Sequence, residues 1–237
     1  MNKVAEIRKE LEKYIDDEKA EFLPRFFKTG EGEYGEGDKF IGVTVPNQKK
    51  VVQKFYKEAT LDDAVELLHS EIHEHRLTAL LLLVKKFERS KDEDHKEKIY
   101  SLYIENTDCV NNWDLVDSSA HKIMGPYLEE RDKGILYEFA EMDNLWKQRI
   151  AIITTYHFIK NREYDDALKI SEMLLNHEHD LIHKAVGWML REIGNRDYQV
   201  EYDFLERFYN EMPRTMLRYS IEKFNENIRK KFLKGEI

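Results

Sequence analysis

A single cysteine, Cys109, is all the thiol this 237-residue chain holds, so no internal disulfide can form and no thiolate-built zinc or iron–sulfur site exists. Such a chain suits a reducing compartment. Four prolines and ten glycines are a poor supply of turn residues for many short strands, which points to helices. No apolar run approaches the roughly 18 residues of a membrane span; the longest lies around Leu80 to Val84. The opening Met1-Asn2-Lys3-Val4-Ala5-Glu6 turns charged at once, without the apolar stretch of a secretory signal. The expected location is therefore cytoplasmic.

What the chain has in plenty is charge and apolar bulk: 41% hydrophobic, 36% charged and 12% aromatic residues, enough to bury a real core at this length. The formal net charge is -9. Taken alone it argues against nucleic acid, but phosphate is bound by a local basic surface and not by a total. The position of the charges decides.

Ile7, Leu11, Tyr14 and Ile15 fall at helical spacing, and a second amphipathic helix is expected from about Glu18 to Lys28. The stretch from Thr29 to Asp38 holds four glycines and reads as a loop. It lacks the GxxxxGK[ST] spacing and carries acids where a phosphate cradle needs donors. Phe40 to Val45 alternates weakly, has no partner strand and is read as extended loop, after which Pro46 opens a helical pattern.

Beyond Pro46 the chain is helix after helix, with a period. Segments with a cationic or aromatic head before a small and apolar run begin at Arg76, Trp113, Arg149, Lys184 and Arg214, separated by 37, 36, 35 and 30 residues. That is one helical hairpin per step. Such a unit must stack on its neighbours to bury its apolar face, giving an all-α, HEAT-like repeat solenoid, a curved superhelix of antiparallel helix pairs. Ala79, Ala120, Ala151, Ala185 and Gly187 would let helices approach closely. The heads, with Trp188, Arg191 and Arg218, would face outward along one concave wall and make a basic groove in an acidic protein. A chance alignment of arginines before apolar runs is the plainer alternative.

Trp113 and Asp117 stand at i, i+4 on one helix face. A ring face beside a carboxylate suits a cationic or oxocarbenium-like species; alternatively Asp114 or Asp117 merely caps the helix. Trp146 reads as core. His73 and His75, and His177, His179 and His183, lack a matched ligand set and are read as no metal site. Cys109 is read as a buried small hydrophobe.

Four ordered segments carry a resemblance: Asn112-Trp113-Asp114-Leu115-Val116-Asp117-Ser118, Leu145-Trp146-Lys147-Gln148-Arg149-Ile150-Ala151, Lys184-Ala185-Val186-Gly187-Trp188-Met189-Leu190-Arg191-Glu192 and Met212-Pro213-Arg214-Thr215-Met216-Leu217-Arg218-Tyr219. They are similar to the AlkD-type DNA alkylation repair family, and the loop Tyr34-Gly35-Glu36-Gly37-Asp38 also resembles many members. The resemblance spans nearly the whole chain and implies one domain over residues 1–237, with N-terminal helices and the glycine loop in 1–45 and helical repeats in 46–237. It implies a monofunctional DNA glycosylase of base excision repair. Such an enzyme hydrolyses the bond to cationic N3- and N7-alkylated purines, 3-methyladenine and 7-methylguanine, in duplex DNA, with no metal or cofactor. By position, Asp117 is similar to the family's catalytic aspartate, Trp113 and Trp188 to its aromatic residues at the lesion, and Arg149 to its backbone-contacting arginine. Phe26 falls where a relative has tyrosine, keeping the ring and losing the hydroxyl, and Asn112 stands where some members carry tryptophan. Lys184, Arg191, Arg214 and Arg218 are further candidates for phosphate. A monomer with one open groove is expected. The alternative is a non-catalytic HEAT-like scaffold that binds DNA or protein.

Overall fold

The computed structural model describes residues 3–237; Met1 and Asn2, the start of the N-terminal run, lie outside the described residues. These form fifteen α-helices, α1 (Lys3–Glu12), α2 (Asp17–Phe26), α3 (Val45–Phe55), α4 (Leu61–Leu68), α5 (His73–Arg89), α6 (Glu93–Glu105), α7 (Trp113–Leu128), α8 (Gly134–Glu141), α9 (Leu145–Thr154), α10 (Tyr156–Lys160), α11 (Asp165–Met173), α12 (Asp180–Gly194), α13 (Tyr198–Phe208), α14 (Arg214–Ser220) and α15 (Glu226–Lys234), with short 3₁₀ turns at Thr107–Cys109 and Ile221–Lys223. The fold is all-α: among the described residues there is no strand, only one parallel bridge between Lys39 and Ile72. No described helix is long and apolar enough to cross a membrane.

Helix ends are written into the sequence. Asp16, Asp92, Asn144, Asp197 and Asn225 each accept a backbone N–H at the start of α2, α6, α9, α13 and α15, and Thr60 with Asp63 forms a reciprocal capping box on α4. Pro46 sits in the first turn of α3 and Pro213 caps α14, positions where a missing N–H costs nothing. Gly235 closes α15 with φ at +74°.

The chain falls into two compact units, one ending at Ile123 and the other beginning at Met124. In the first, α5 is the hub: α3, α4 and α6 pack on it, and α1 packs on α3 and α4. Residues 73–84 of α5 are all buried. The glycine-rich segment loops across this unit, and the expected loop from Phe40 to Val45 is irregular through Thr44, with Val45 already in α3; it is pinned by the Glu74 carboxylate, which accepts the N–H groups of Ile41, Gly42 and Val43 at 2.8–3.2 Å. Gly42 has φ at +77°, and a Cβ there would meet the Asp16 carbonyl.

In the second unit α12 is the hub, packing on α9, α11, α13 and α14, while α8 packs on α9 and α11. The stacking of α9 on α12 and α12 on α14 is that of HEAT-like repeats. All five repeat segments lie in one kind of element, α5, α7, α9, α12 and α14, and their alanines 79, 120, 151 and 185 are fully buried. Gly187 shows why small residues recur: a Cβ there would lie 2.5 Å from Tyr219 Cβ and 2.6 Å from the Met216 carbonyl of α14. Replacing it, Gly187→Ala, should force α12 off α14 and lower the unfolding free energy by roughly 1–3 kcal/mol in urea titration.

Glu201 in α13 is 2% exposed, and its Oε1 makes no hydrogen bond. Burial pushes its carboxyl up to about 9, against a modest pull downward from Arg191. A carboxyl raised in the folded state favours folding below its unfolded value and loses that advantage as pH rises toward its folded value. Glu201→Gln, which keeps the shape without the charge, should therefore raise the melting temperature by a margin that grows from pH 5 to pH 9.

Candidate functional site

The start of α7 is set by Asn112. Its side-chain oxygen accepts the Trp113 N–H at 2.8 Å, its carbonyl accepts the Val116 N–H at 3.1 Å, and its amide nitrogen donates to Asp38 Oδ2 at 3.2 Å. Asn112 is fully buried, so this position serves to anchor the helix start. Gly35 lies against it: a Cβ there would meet the Phe27 carbonyl at 2.4 Å and Asn112 Nδ2 at 3.2 Å. The glycine loop thus packs down between α2 and α7.

Trp113 is half-buried. One face of its indole stacks on Phe27 at 5.3 Å between centroids and 14° between planes, and Phe26 meets it edge-on at 5.9 Å. Phe26 is itself 51% exposed, as is Phe22 at 60%, and the two stack at 6.3 Å. The structure therefore joins Phe26 to Trp113, two residues singled out from distant parts of the sequence. A cavity of about 210 Å³ lies beside them, walled by Phe26, Phe27, Phe40, His73 and Asp114.

The two carboxylates of this segment have different surroundings. Asp114 does not cap the helix; its Oδ2 accepts His73 Nε2 at 2.8 Å. The other ring nitrogen, Nδ1, donates to Asp38 Oδ2 at 2.9 Å, and Arg76 Nη2 donates to Asp38 Oδ1 at 2.5 Å. His73 is 2% exposed and lies between Phe40 and Phe27, with centroids at 4.6 and 4.9 Å. Burial alone would push its imidazole down; the hydrogen bonds to Asp114 and Asp38, with their charges, override this and bring it up to about 9. Asp38 is penalised by burial as well, yet the His73 bond and the Arg76 charge hold it below the usual carboxylate range. Two acids and two cations balance.

Asp117 stands one turn beyond Trp113 on the same face, half-buried. Four residues into α7, it lies past the first-turn amides that a cap satisfies. The buried phenol of Tyr103, whose hydroxyl lies 3.1 Å from Ser119 Oγ, is pushed up by burial and further by the Asp117 charge. The carboxylate is thus close enough to be felt inside the helix packing.

In the second unit, Trp188 on α12 is half-buried, tilted against Tyr156 at 5.7 Å, and its Nε1 donates to Glu192 Oε1 at 3.3 Å. Trp146 is half-buried as well, where a core position was expected. Lys184 pairs with Asp180 at 2.7 Å and Arg191 with Glu222. Arg214 and Arg218 are exposed and make no ion pair among the described residues.

The expectation that segment heads face outward fails at two of them. Arg76 and Arg149 are each 5% exposed: the first is neutralised by Asp38, and the second donates from Nη1 to the Leu181 carbonyl at 2.5 Å. A guanidinium can be buried when acceptors meet it, and pattern along the chain does not reveal them. The histidines in and just before α12 are similarly engaged: His177 Nε2 with Gln148 Oε1 at 2.8 Å, His179 Nδ1 with the Leu181 N–H at 3.1 Å, and His183 with the His177 carbonyl. Burial pushes His177 and His179 below their ordinary values. Cys109 is half-buried and not buried, and burial pushes its thiol up.

Sequence reasoning missed the Asp38–His73–Asp114–Arg76 cluster, because the partners in its bonds are 35 to 41 residues apart and no spacing marks them. The available signal was weak: an acid ending the glycine loop, and a His and an Arg on one face at a helix start.

Comparison with known proteins bears on the family and the fold. The profile of a family described as DNA alkylation repair enzyme matches residues 7–224. A solved structure described as a predicted DNA alkylation repair enzyme from Enterococcus faecalis superposes with a TM-score of 0.71 at 18% identity, over 90% of this chain and 97% of that one. No curated protein matches the sequence. With the family's profile covering all but the chain ends, and the same all-α fold in the solved relative, the chain belongs to the DNA alkylation repair enzyme family.

Proposed function

We propose that this protein is a DNA glycosylase that hydrolyses the N-glycosidic bond of cationic N3- and N7-alkylated purines, such as 3-methyladenine and 7-methylguanine, in duplex DNA. One observation carries the reading. Of the two carboxylates near the start of α7, Asp114 is committed to His73, and Asp117 shares a helix face with the half-exposed Trp113 ring. A scaffold that only bound DNA would gain nothing from a carboxylate there, since it repels phosphate.

The chemistry follows from the lesion. An N3- or N7-alkylated purine already carries a positive charge, so it departs as a neutral base and needs no general acid. As the bond from C1′ to the base nitrogen breaks, the positive charge moves onto the sugar, and water adds to C1′ and loses a proton. Asp117 stabilises the oxocarbenium-like sugar; at ~4 Å and an effective dielectric near 20 the attraction is roughly 4 kcal/mol, of order a thousandfold in rate. It also orients the water. Trp113, held by Phe27 and Phe26, presents a ring face to the deoxyribose and excludes solvent from the carboxylate. Trp188, in the second unit, is by likeness to the family a further aromatic candidate for contact with DNA.

Phosphate neutralisation falls first to Arg214 and Arg218, which are exposed, and then to Lys184 and Arg191, whose acidic partners Asp180 and Glu222 must yield. Arg149 holds the start of α12 through the Leu181 carbonyl; a phosphate contact requires its guanidinium to turn outward. The reading involves no metal or cofactor and a monomer acting in the cytoplasm.

Release of 7-methylguanine from methylated duplex DNA, in buffer without divalent metal, tests it. The unmodified protein should release the base and Asp117→Asn should do so at least about a hundredfold more slowly with DNA binding retained. No release by either, beside tight salt-dependent DNA binding, would leave a DNA-binding repeat protein. Uracil and hypoxanthine, uncharged lesions that must depart as anions when no acid protonates them and so leave poorly, should be excised far more slowly than 7-methylguanine; equal rates would overturn the role given to lesion charge.

A further inference from the structure

We propose that His73 is a positioning residue for this site: its imidazole, hydrogen-bonded at both nitrogens between Asp38 and Asp114, fixes the first turn of α7 and with it the ring of Trp113 and the carboxylate of Asp117. The inference rests on the glycosylase reading for its kinetic consequence, though not for its geometry.

Two physical routes lead from His73 to the site. The first runs through Asp114. Its Oδ2 is bonded to His73 Nε2 at 2.8 Å, while its buried Oδ1 has no hydrogen-bond partner. Asp38, in contrast, also holds Arg76 and Asn112. Without the imidazolium, Asp114 alone is left as a buried and uncompensated charge, and the cheapest relief is for it to turn toward water and take the α7 start with it. Trp113 is its neighbour in sequence and Asp117 lies less than one turn away. The second route is ring packing. His73 packs on Phe27 at 4.9 Å with the planes tilted by 41°, and Phe27 lies nearly parallel to the Trp113 indole at 5.3 Å and 14°. The imidazole therefore buttresses the phenyl against which the indole lies.

The lock works while the ring carries both protons. Asp38 from the glycine loop and Asp114 from α7 face its nitrogens. On α5 itself Glu74 and Arg76 add opposite charges, Glu74 being turned to the backbone of Ile41, Gly42 and Val43 and Arg76 to Asp38. Phe27 and Phe40 close the remaining sides without charge. With the imidazole brought up to about 9, the cation persists through neutral pH. Above that value one nitrogen presents a lone pair to a carboxylate, and the attraction becomes repulsion. The stabilisation this group gives is full below about 6.5 and is lost as pH rises through about 9.

The test uses the full chain and three proteins: unmodified, His73→Gln and Asp114→Asn. Expected for His73→Gln is a fall of about 10- to 100-fold in kcat for 7-methylguanine release with DNA affinity nearly unchanged, and loss of an alkaline limb near pH 9 in the rate profile. In the ¹H–¹⁵N spectrum of the free protein, the Trp113 indole signal of the unmodified chain should titrate with a midpoint near pH 9. That titration should vanish in His73→Gln and move to lower pH in Asp114→Asn, which keeps an acceptor but not the charge. The Trp146 and Trp188 signals should not follow it. A kcat and a Trp113 titration indifferent to His73→Gln would overturn the proposal; if that variant does not fold, an Asp114→Asn limb and titration unmoved from those of the unmodified protein would do so. Absence of base release by the unmodified protein sinks the glycosylase reading alone, because the indole titration still judges the coupling: a Trp113 signal that does not titrate refutes it, and one that titrates as described supports it.

Discussion

At the centre of the first unit, two carboxylates and two cations have been taken out of water together. Asp38 and Asp114, His73 and Arg76 are nearly buried, and a lone ion in such a place costs several kcal/mol. Mutual compensation is what permits the glycine loop, the start of α5 and the start of α7 to meet there. Remove any one charge and another is stranded. The two aromatic rings that cover His73 exclude the water that would otherwise loosen the cluster, and one of them, Phe27, also stacks on Trp113. The structural centre and the candidate site thus share side chains.

That sharing divides labour between two similar residues. Asp114 and Asp117 are both acids near the start of one helix, but one faces inward to His73 and the other shares a face with Trp113. Asp114 stands about 100° around the helix from Trp113 and Asp117 only about 40°, nearly a turn further along the axis, and that offset gives them different surroundings. A histidine partner consumes the charge of the first. The second lies on the side of the helix that carries Trp113, which is why the catalytic role is proposed for it.

In the second unit close approach replaces charge as the organising constraint. α12 takes neighbours on several sides, and this is possible because Ala185 and Gly187 keep its flanks small. The cations there are largely matched by acids, Lys184 by Asp180 and Arg191 by Glu222, in keeping with a net charge of -9. Arg214 and Arg218, on the short helix α14, stand apart from this pairing. A net negative charge is thus compatible with exposed, unmatched arginines on one short helix.

What the sequence determined by itself is what depends on neighbours along the chain. Helical periodicity, the cap residues, the small positions and the recurring step placed α5, α7, α9, α12 and α14 and the all-α fold, since these rest on contacts within a few residues or on a pattern repeated at fixed intervals. Trp113 beside Asp117 was legible for the same reason: four residues make one turn. What only the tertiary structure decided is which polar groups meet across loops. Arg76 and Arg149 read as outward heads and are buried, because Asp38 and the Leu181 carbonyl, each more than 30 residues away, accept their protons. His73, which along the chain shows only a helix start, becomes the link between a loop and a site. A charge goes inside where a partner of opposite sign arrives to meet it, and arrival is a property of the folded chain.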